Sequence, residues 1–230
     1  MLDSVRTKQY RSLVMRGSYL SQDRSDIADC CKHLCRWMKE PRECHFRDLK
    51  RLGRYLHHHP RVVQSFNQQE EQSTDLYATV DSDHAGCLIT RRSTTGEAVW
   101  FGSHCLGHSA RMQSTISLNV AESEYYALVK GAARVLMMRS LFLDWGIDVP
   151  AVIKSDSSSA KSLASRRGLG RQRNVQTLYL WIQERIACRH FEVRYIKGIL
   201  NPADLLTKPL PESRIRELAE IFQQEILLRT

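Results

Sequence analysis

The stretch "LYATVDSDHAGCLITRRSTTGEAVWFGS" (residues 76–103) decides the predicted fold. It opens with a mostly apolar run that predicts a buried strand, and this strand ends in the acids Asp81 and Asp83. Charge at the end of a buried strand is unfavourable unless a hydrogen-bonded turn or a cation compensates it. The end of the stretch, "TGEAVWFGS" (residues 95–103), predicts a second strand. The sequence thus predicts an antiparallel pair with carboxylates at one end.

The rest of the chain after this stretch alternates between strand and helix patterns. The segments are a strand at 105–112, a long helix at 118–146, a strand at 151–156, helices at 158–168 and 175–189, a strand at 190–198, and a segment from Asn201 whose tail is helical. Three antiparallel strands followed by helix-separated strands predict an α/β fold. We expect a mixed five-stranded sheet flanked by helices.

The N-terminal part of the chain has a different character. Residues 8–66 are rich in helix formers, so 1–66 is predicted to be a small helical segment, and the polar run "NQQEEQST" (67–74) predicts a linker. We therefore predict an α/β domain over 75–210 and a helical tail over 211–230.

The composition indicates which kind of partner and which cellular compartment to expect. The chain has 230 residues and a formal net charge of +9, and a basic surface favours a polyanionic partner such as nucleic acid. The seven cysteines show no CxxC spacing, so no disulfide framework is expected. Without a signal peptide or a membrane-spanning run, we expect a cytoplasmic or nuclear protein with no membrane partner.

Four acids follow the predicted elements at informative places. Asp81 ends the first strand, Asp156 ends the fourth, Glu124 lies in the first long helix and Asp204 lies in the first turn of the last helix. If the first and fourth strands are parallel neighbours, Asp81 and Asp156 emerge side by side at the sheet edge where α/β sites form. Glu124 shares a helical stripe with Leu128, Gly131 and Val135, which turns it toward the sheet.

Clustered carboxylates repel one another unless cations bind between them. Oxygen ligands without His or Cys select Mg²⁺ or Mn²⁺, and two such ions support hydrolysis at phosphorus. Each acid alone also has a structural interpretation. Asp156 could cap the helix that follows it, and Asp204 could interact with a helix dipole.

Four quoted segments carry a resemblance to a known family: "DSDHAGCLITRRSTTGE", "AESEYYAL", "KSDSSSAKSLA" and "NPADLLTKPL". In this order they resemble the motifs of the ribonuclease H domain of copia-type retrotransposon Pol polyproteins, over about residues 75–210. Upstream, "YRSLVMRGSYLSQDRSDIADCCKHLCRWMKEPRECHFRDLKRLGRYL" is similar to the segment after the polymerase palm, so 1–66 resembles the end of a reverse transcriptase. The polymerase Tyr-x-Asp-Asp motif is absent, and no polymerase activity is expected.

The resemblance implies the catalytic, metal-binding residues. The family's ligands fall on Asp81, Glu124, Asp156 and Asp204, and two ions of Mg²⁺ or Mn²⁺ are the implied cofactors. Of the two acids in "AESEY", Glu124 aligns with the family's helix and faces the sheet, whereas Glu122 is expected to point aside.

This sequence also departs from the family pattern. The family usually carries T-K-H-I-D before its last helix, and here "QRNVQ" places Asn174 at the position of the His and Gln176 at that of the Asp. A role of that His in proton relay or product release would be lost, and His84 stands where the family tends to have Trp.

Two basic segments are candidates for nucleic-acid binding. The predicted contacts are Arg91, Arg92, Ser93 and Thr94 after the first strand, and Arg166, Arg167, Arg171, Arg173 and Asn174 in the loop "SRRGLGRQRN". A solvated loop is the simpler alternative.

The expected function is metal-dependent endonucleolytic hydrolysis of the RNA strand of RNA–DNA hybrids, by a fragment of a retrotransposon polyprotein. Expected partners are hybrid or other nucleic acid and the rest of a reverse transcriptase. One alternative is a catalytically silent hybrid-binding or structural fragment. Another is a transposase or integrase nuclease, but such enzymes usually place their Glu on a late helix.

Overall fold

The computed structural model describes residues 1–66, 75–168, 170, 175 and 177–229. The predicted linker (67–74) and the loop residues Arg171, Arg173 and Asn174 lie outside the described residues. The helices are α1 (Ser4–Leu20), α2 (Ala28–Cys35), α3 (Glu43–His58), α4 (Val120–Asp144), α5 (Ser158–Ser165), α6 (Trp181–Ala187) and α7 (Glu212–Ile221). The strands are β1 (Arg61–Gln64), β2 (Leu76–Asp83), β3 (Thr94–Phe101), β4 (His104–Met112), β5 (Ala151–Ser155), β6 (Glu192–Tyr195) and β7 (Gln224–Leu227).

The chain forms two compact units. One contains Met1–Phe66 and Lys208–Thr230, and the other contains Asn67–Thr207. Residues 208–230 thus group with the N-terminal helices. The boundaries drawn from the sequence remain predictions about independently folding domains.

The first unit combines the four helices α1, α2, α3 and α7 with a small two-stranded sheet. Its core is built by Leu2, Tyr10, Val14, Ile27, Cys31, Leu34, Leu49 and Leu52. The Tyr10 hydroxyl donates a hydrogen bond to the Leu34 carbonyl at 2.8 Å, which satisfies this buried polar group. Strands β1 and β7 pair antiparallel. Neither strand is predicted from the sequence, where 224–227 fall in the predicted helical tail, because each has only four residues and no clear alternation.

The second unit is built around a five-stranded mixed sheet in the order β4-β3-β2-β5-β6. Strands β2, β3 and β4 pair antiparallel, and β5 lies parallel to both β2 and β6. This confirms the predicted fold class. The boundaries of β2 match the predicted strand residue for residue.

Helix α4 packs closely on the centre of this sheet, and a glycine makes the approach possible. A Cβ added at Gly131 would lie only 2.4 Å from Cγ1 of Val80 in β2. Leu128 and Val135, on the same helical stripe, are fully buried. This contact fixes the helix over the strand that carries Asp81. Within the described ranges, no helix combines the length and apolarity that a bilayer crossing requires.

Candidate active site

Two of the predicted acids come together because their strands are parallel neighbours. In the register of β2 and β5, Thr79 pairs with Lys154. Asp81 and Asp156 each follow two residues later, so both lie at the same edge of the sheet. Asp81 is almost fully buried, with 1% of its surface exposed. The arrangement expected from the sequence for these two acids is present.

The third acid is supplied by α4. Asn119 caps this helix by accepting a hydrogen bond from the Glu122 backbone N–H. Glu124 lies in its second turn, directed toward the sheet, and only 6% of it is exposed. Carboxylate oxygens of Asp81, Glu124 and Asp156 all lie within 4.8 Å of one another. Among the described residues, this is the one group of three or more acids, histidines or cysteines close enough to share a metal ion.

The electrostatics of Glu124 reflect this crowding. Burial raises the pKa of its carboxyl to about 8, and the nearby charges of Asp81 and Asp156 act in the same direction, against hydrogen bonds from Ser82. Its Oε2 atom is buried without a hydrogen-bond partner. A buried carboxylate oxygen facing two further carboxylates is the environment that a divalent cation would compensate. The all-oxygen donor set fits Mg²⁺ or Mn²⁺.

A turn that follows β6 supports Asp81. The Thr207 hydroxyl donates a hydrogen bond to Oδ2 of Asp81. Asn201 caps the short 3-10 helix Pro202–Leu206 and donates through Nδ2 to the carbonyl of Val80 at 2.9 Å. The residue before Asp81 and the Asp81 side chain are thus both tied to this turn.

The contact of Thr207 with Asp81 is not predicted from the sequence. The residue lies inside the quoted motif "NPADLLTKPL", in which the predicted site residue is Asp204. A Thr three residues after a candidate acid was the available signal. Its partner lies 126 positions away in sequence, so its contact could not be seen without the fold.

Asp204 lies in the same turn, half-buried. Its backbone carbonyl accepts hydrogen bonds from Thr207, from the backbone N–H at 3.2 Å and from the hydroxyl at 3.3 Å. The close cluster of described acids consists of the other three and does not include Asp204. The turn is 3-10 rather than the α-helical start predicted from the sequence. A ligand role for Asp204 stays a prediction.

Neighbouring residues fill the structural roles that could otherwise explain the clustered acids. Helix α5 is capped by Ser157, whose hydroxyl accepts from the Ala160 N–H at 3.2 Å, so Asp156 is not used as the cap. The Glu122 carboxylate accepts from the Leu118 N–H at 2.8 Å and from the Tyr126 hydroxyl at 2.6 Å. Glu122 therefore stabilises the start of α4, and Glu124 is the acid that reaches the cluster.

The candidate nucleic-acid contacts are divided between surface and interior. Arg91, Arg92 and Arg167 are exposed, and Arg166 is half-buried. Ser93 is fully buried: its hydroxyl accepts from the Ala85 N–H at 3.0 Å and lies 2.9 Å from the Ser117 hydroxyl. Thr94 is also buried. Of the four residues predicted after β2, the two arginines lie at the surface in this structure.

Comparison with known proteins gives relatives over most of the chain. It is 28% identical over 214 residues to the retrovirus-related Pol polyprotein from transposon RE1 of Arabidopsis thaliana, covering 92% of this chain and 14% of that protein. The Pol polyprotein from transposon TNT 1-94 of Nicotiana tabacum is 26% identical over 200 residues, 86% of this chain and 15% of that protein. No family model matches the chain.

A second Arabidopsis thaliana relative, the uncharacterized mitochondrial protein AtMg00810, is 36% identical over 126 residues, 55% of this chain and 52% of that protein. The chain thus spans between about a seventh and a half of the length of these relatives.

Solved structures resemble the fold. The foamy viral protease-reverse transcriptase in complex with RNA/DNA hybrid matches 89% of this chain and 26% of its own, with a TM-score of 0.54 and 13% identity. LC11-RNase H1, solved with an RNA/DNA hybrid, matches 58% of this chain and 94% of its own, with a TM-score of 0.40 and 16% identity.

The sheet order and strand directions, with helices packed on the sheet, define a ribonuclease H-like α/β fold. Three buried or half-buried carboxylates lie together at the edge where β2 and β5 end. Over most of its length, the chain's homologues are Pol polyproteins of copia-type retrotransposons.

Proposed function

We propose that this chain hydrolyses the RNA strand of RNA–DNA hybrids in a reaction that depends on divalent metal ions. The observation that carries the proposal is the convergence of Asp81, Glu124 and Asp156 within 4.8 Å. The homologous Pol polyproteins and the hybrid-bound foamy viral structure support the choice of substrate. The RNA strand would be cut internally and not from its ends.

The chain's own residues would hold the ions and keep their ligands in place. Asp81, Glu124 and Asp156 would bind them, and Asp204 would complete the set from the 3-10 turn. The bound ions, two in this proposal, would polarise the scissile phosphate and lower the pKa of water. Thr207 would hold the Asp81 carboxylate in one orientation through its hydrogen bond.

The basic side chains would hold the substrate backbone. Arg91, Arg92 and Arg167 are exposed and available to phosphate oxygens. Arg171, Arg173 and Asn174, outside the described residues, stay predicted contacts. A cytoplasmic or nuclear compartment and a partnership with the rest of a reverse transcriptase are further parts of the proposed function.

The main alternative is a silent fragment that binds hybrid or serves a structural role. The sequence favours it at two points, because Asn174 stands where the family has His and the polymerase palm motif is absent. A transposase or integrase nuclease fits the structure less well, since Glu124 lies in α4, the first helix after the start of the sheet.

A cleavage assay separates these functions. The full chain is incubated with a hybrid labelled on its RNA strand, with millimolar Mg²⁺ or Mn²⁺ or with EDTA. We expect internal RNA cuts with metal, none with EDTA, and none in double-stranded DNA. Hybrid binding without cleavage under every metal condition would support the silent fragment.

Metal binding has a readout that does not depend on activity. Because the clustered carboxylates repel one another, the melting temperature should rise with added Mg²⁺ or Mn²⁺. Asp81→Asn should reduce this rise. An unchanged melting temperature across the titration would contradict a preformed metal site.

A further inference from the structure

A cavity with a volume of about 410 Å³ lies in the sheet unit, between β3, β4 and α4. This is in the size range of pockets that take small organic ligands. The described residues that line it include none of the three clustered acids. Its chemistry is therefore separate from the proposed metal site.

The polar centre of this cavity is Glu97 of β3, of which 7% is exposed. One carboxylate oxygen, Oε1, accepts from the Ser109 hydroxyl at 3.0 Å and lies 3.6 Å from Nη1 of Arg134. The other oxygen, Oε2, is buried and has no hydrogen-bond partner. Buried carboxylate oxygens are normally satisfied, so this one calls for an N–H or O–H donor.

Cationic side chains surround this carboxylate. Arg111, Lys130 and Arg134 line the cavity with Glu97, so three positive groups accompany one acid. Arg111 and Lys130 are exposed at its mouth, and Arg134 is half-buried. The excess of positive charge favours a ligand with an anionic group at the mouth.

The remaining wall is aromatic and apolar. Tyr126 and Tyr179 line the cavity, with ring centroids 4.4 Å apart, and both residues are buried. Met112 and Met137 also line it, and their unbranched chains adapt to flat groups. A planar ring therefore finds an apolar surface beside the free acceptor of Glu97.

We propose that this cavity binds a nucleoside monophosphate. The base would lie against the tyrosine and methionine wall and donate an N–H to Oε2 of Glu97. The phosphate would pair with Arg111, Lys130 and Arg134 at the mouth. The proposal stands apart from hybrid cleavage, because it uses none of the residues assigned to the metal site.

The test is an isothermal titration of the full chain in EDTA, so that metal at the acid cluster does not contribute. The titrants are GMP, AMP and CMP, which all carry N–H donors on the base, and ribose 5-phosphate, which has no base. We expect saturable one-to-one binding of at least one nucleotide. Ribose 5-phosphate should bind at least tenfold more weakly.

Variants assign the binding to the cavity. Glu97→Met should weaken the nucleotide at least tenfold by removing the acceptor, and Arg134→Met should weaken both nucleotide and ribose 5-phosphate. Lys39→Met removes an exposed charge elsewhere and should leave the affinity unchanged. Thermal melting checks that each variant is folded, and Glu97→Leu, which also lacks an acceptor, is the second probe if Glu97→Met is not folded.

Three outcomes would overturn the proposal: no saturable binding, equal affinity for ribose 5-phosphate, or full affinity in a folded Glu97 variant that lacks the acceptor. The variant Asp81→Asn should bind nucleotide like the parent whether or not the parent cleaves hybrid. A failure of the proposed nuclease function would thus be visible separately from a failure of this one.

Discussion

Thr207 and Asp81 are joined by a hydrogen bond from the threonine hydroxyl to Oδ2 of the carboxylate. Both residues are 1% exposed. The bond occupies one lone pair of Asp81 and fixes the orientation of its carboxyl group. Residues that orient metal ligands in this way typically change metal affinity or activity by 10- to 100-fold when replaced.

Thr207→Val should therefore lower the single-turnover cleavage rate of a hybrid by about tenfold and raise the Mg²⁺ concentration needed for half-maximal rate. Thr207→Ser keeps the hydroxyl and should stay close to the parent in both measurements. If Thr207→Val and Thr207→Ser showed the same metal dependence, the hydrogen bond would have no positioning role.

The three clustered acids should be the most sensitive positions. Asp81→Asn, Glu124→Gln and Asp156→Asn should each abolish hybrid cleavage at saturating Mg²⁺, because an amide keeps the shape but loses the charge that holds an ion. Folding should survive, since each amide relieves the crowding of the carboxyl groups. Asp204→Asn should have an intermediate rate, because water replaces an outer ligand of a hard ion.

Nearby acids provide the controls. Glu122→Gln should leave cleavage largely intact and lower stability by about 1 kcal/mol, since Glu122 accepts from the Leu118 N–H and the Tyr126 hydroxyl. Asp83→Asn should also cleave. An inactive Glu122→Gln beside an active Glu124→Gln would show that the wrong acid of α4 had been assigned.

The sheet could be predicted from the sequence because its signals are local. The run that becomes β2 is short, apolar and followed by turn residues, and the stripe through Glu124 repeats at helical spacing in α4. The parallel pairing of β2 and β5 then places Asp81 beside Asp156. The positions of two strand ends and of one helical face were therefore enough to predict these three acids.

The supporting contacts could not be predicted in the same way. Thr207 and Asn201 reach β2 from more than 120 positions away, and no periodicity reports such contacts. Strands β1 and β7 are four residues each and pair across most of the chain. The burial of Ser93 depends on its bonds to Ala85 and Ser117, which a basic segment does not reveal.

Gly96 lies against the turn that carries Thr207, so a substitution there tests how closely the turn packs. A Cβ at this position would lie 2.7 Å from Cγ2 of Thr207, 2.8 Å from the Ala203 carbonyl oxygen and 2.9 Å from Cβ of Leu206. Gly96→Ala should displace the turn, destabilise the protein by about 1–3 kcal/mol and slow cleavage. Urea unfolding and the single-turnover rate measure the two effects.

Gly53 is the matched control. It lies within α3, and a Cβ there would meet nothing within 4 Å. Gly53→Ala should leave cleavage unchanged and stabilise the protein by about 0.5–1 kcal/mol, because alanine favours a helix. Equal destabilisation by both substitutions would contradict the close packing at Gly96.

The basic segments should act through the phosphate backbone. The double variants Arg91→Ala with Arg92→Ala, and Arg171→Ala with Arg173→Ala, should each weaken hybrid binding and reduce its salt dependence by roughly one unit of slope per lost phosphate contact. Lys8→Ala with Lys39→Ala removes the same charge from exposed positions and is the control. Slopes equal to that of the parent would show that the tested segment does not contact phosphate.

The raised pKa of Glu124 predicts how stability depends on pH in the metal-free protein. The carboxyl has a pKa of about 8 in the folded chain, against an ordinary value of 4.5. Between these values the folded state retains a proton that the unfolded state has lost, so stability falls as the pH rises from about 4.5 to about 8. For a carboxyl this buried, the loss should be of the order of a few kcal/mol.

Urea unfolding in EDTA at pH 5.5 and pH 8.5 measures this loss. Between pH 5.5 and pH 8.5 the parent should lose more stability than Glu124→Gln, because the glutamine has no proton to lose. Glu225→Gln, at an exposed position in β7, should behave like the parent. Millimolar Mg²⁺ should reduce the difference between parent and Glu124→Gln at pH 8.5, since a bound cation stabilises the ionised carboxylate. If the parent and Glu124→Gln lost the same stability between the two pH values, Glu124 would not be the crowded, proton-retaining acid of the cluster.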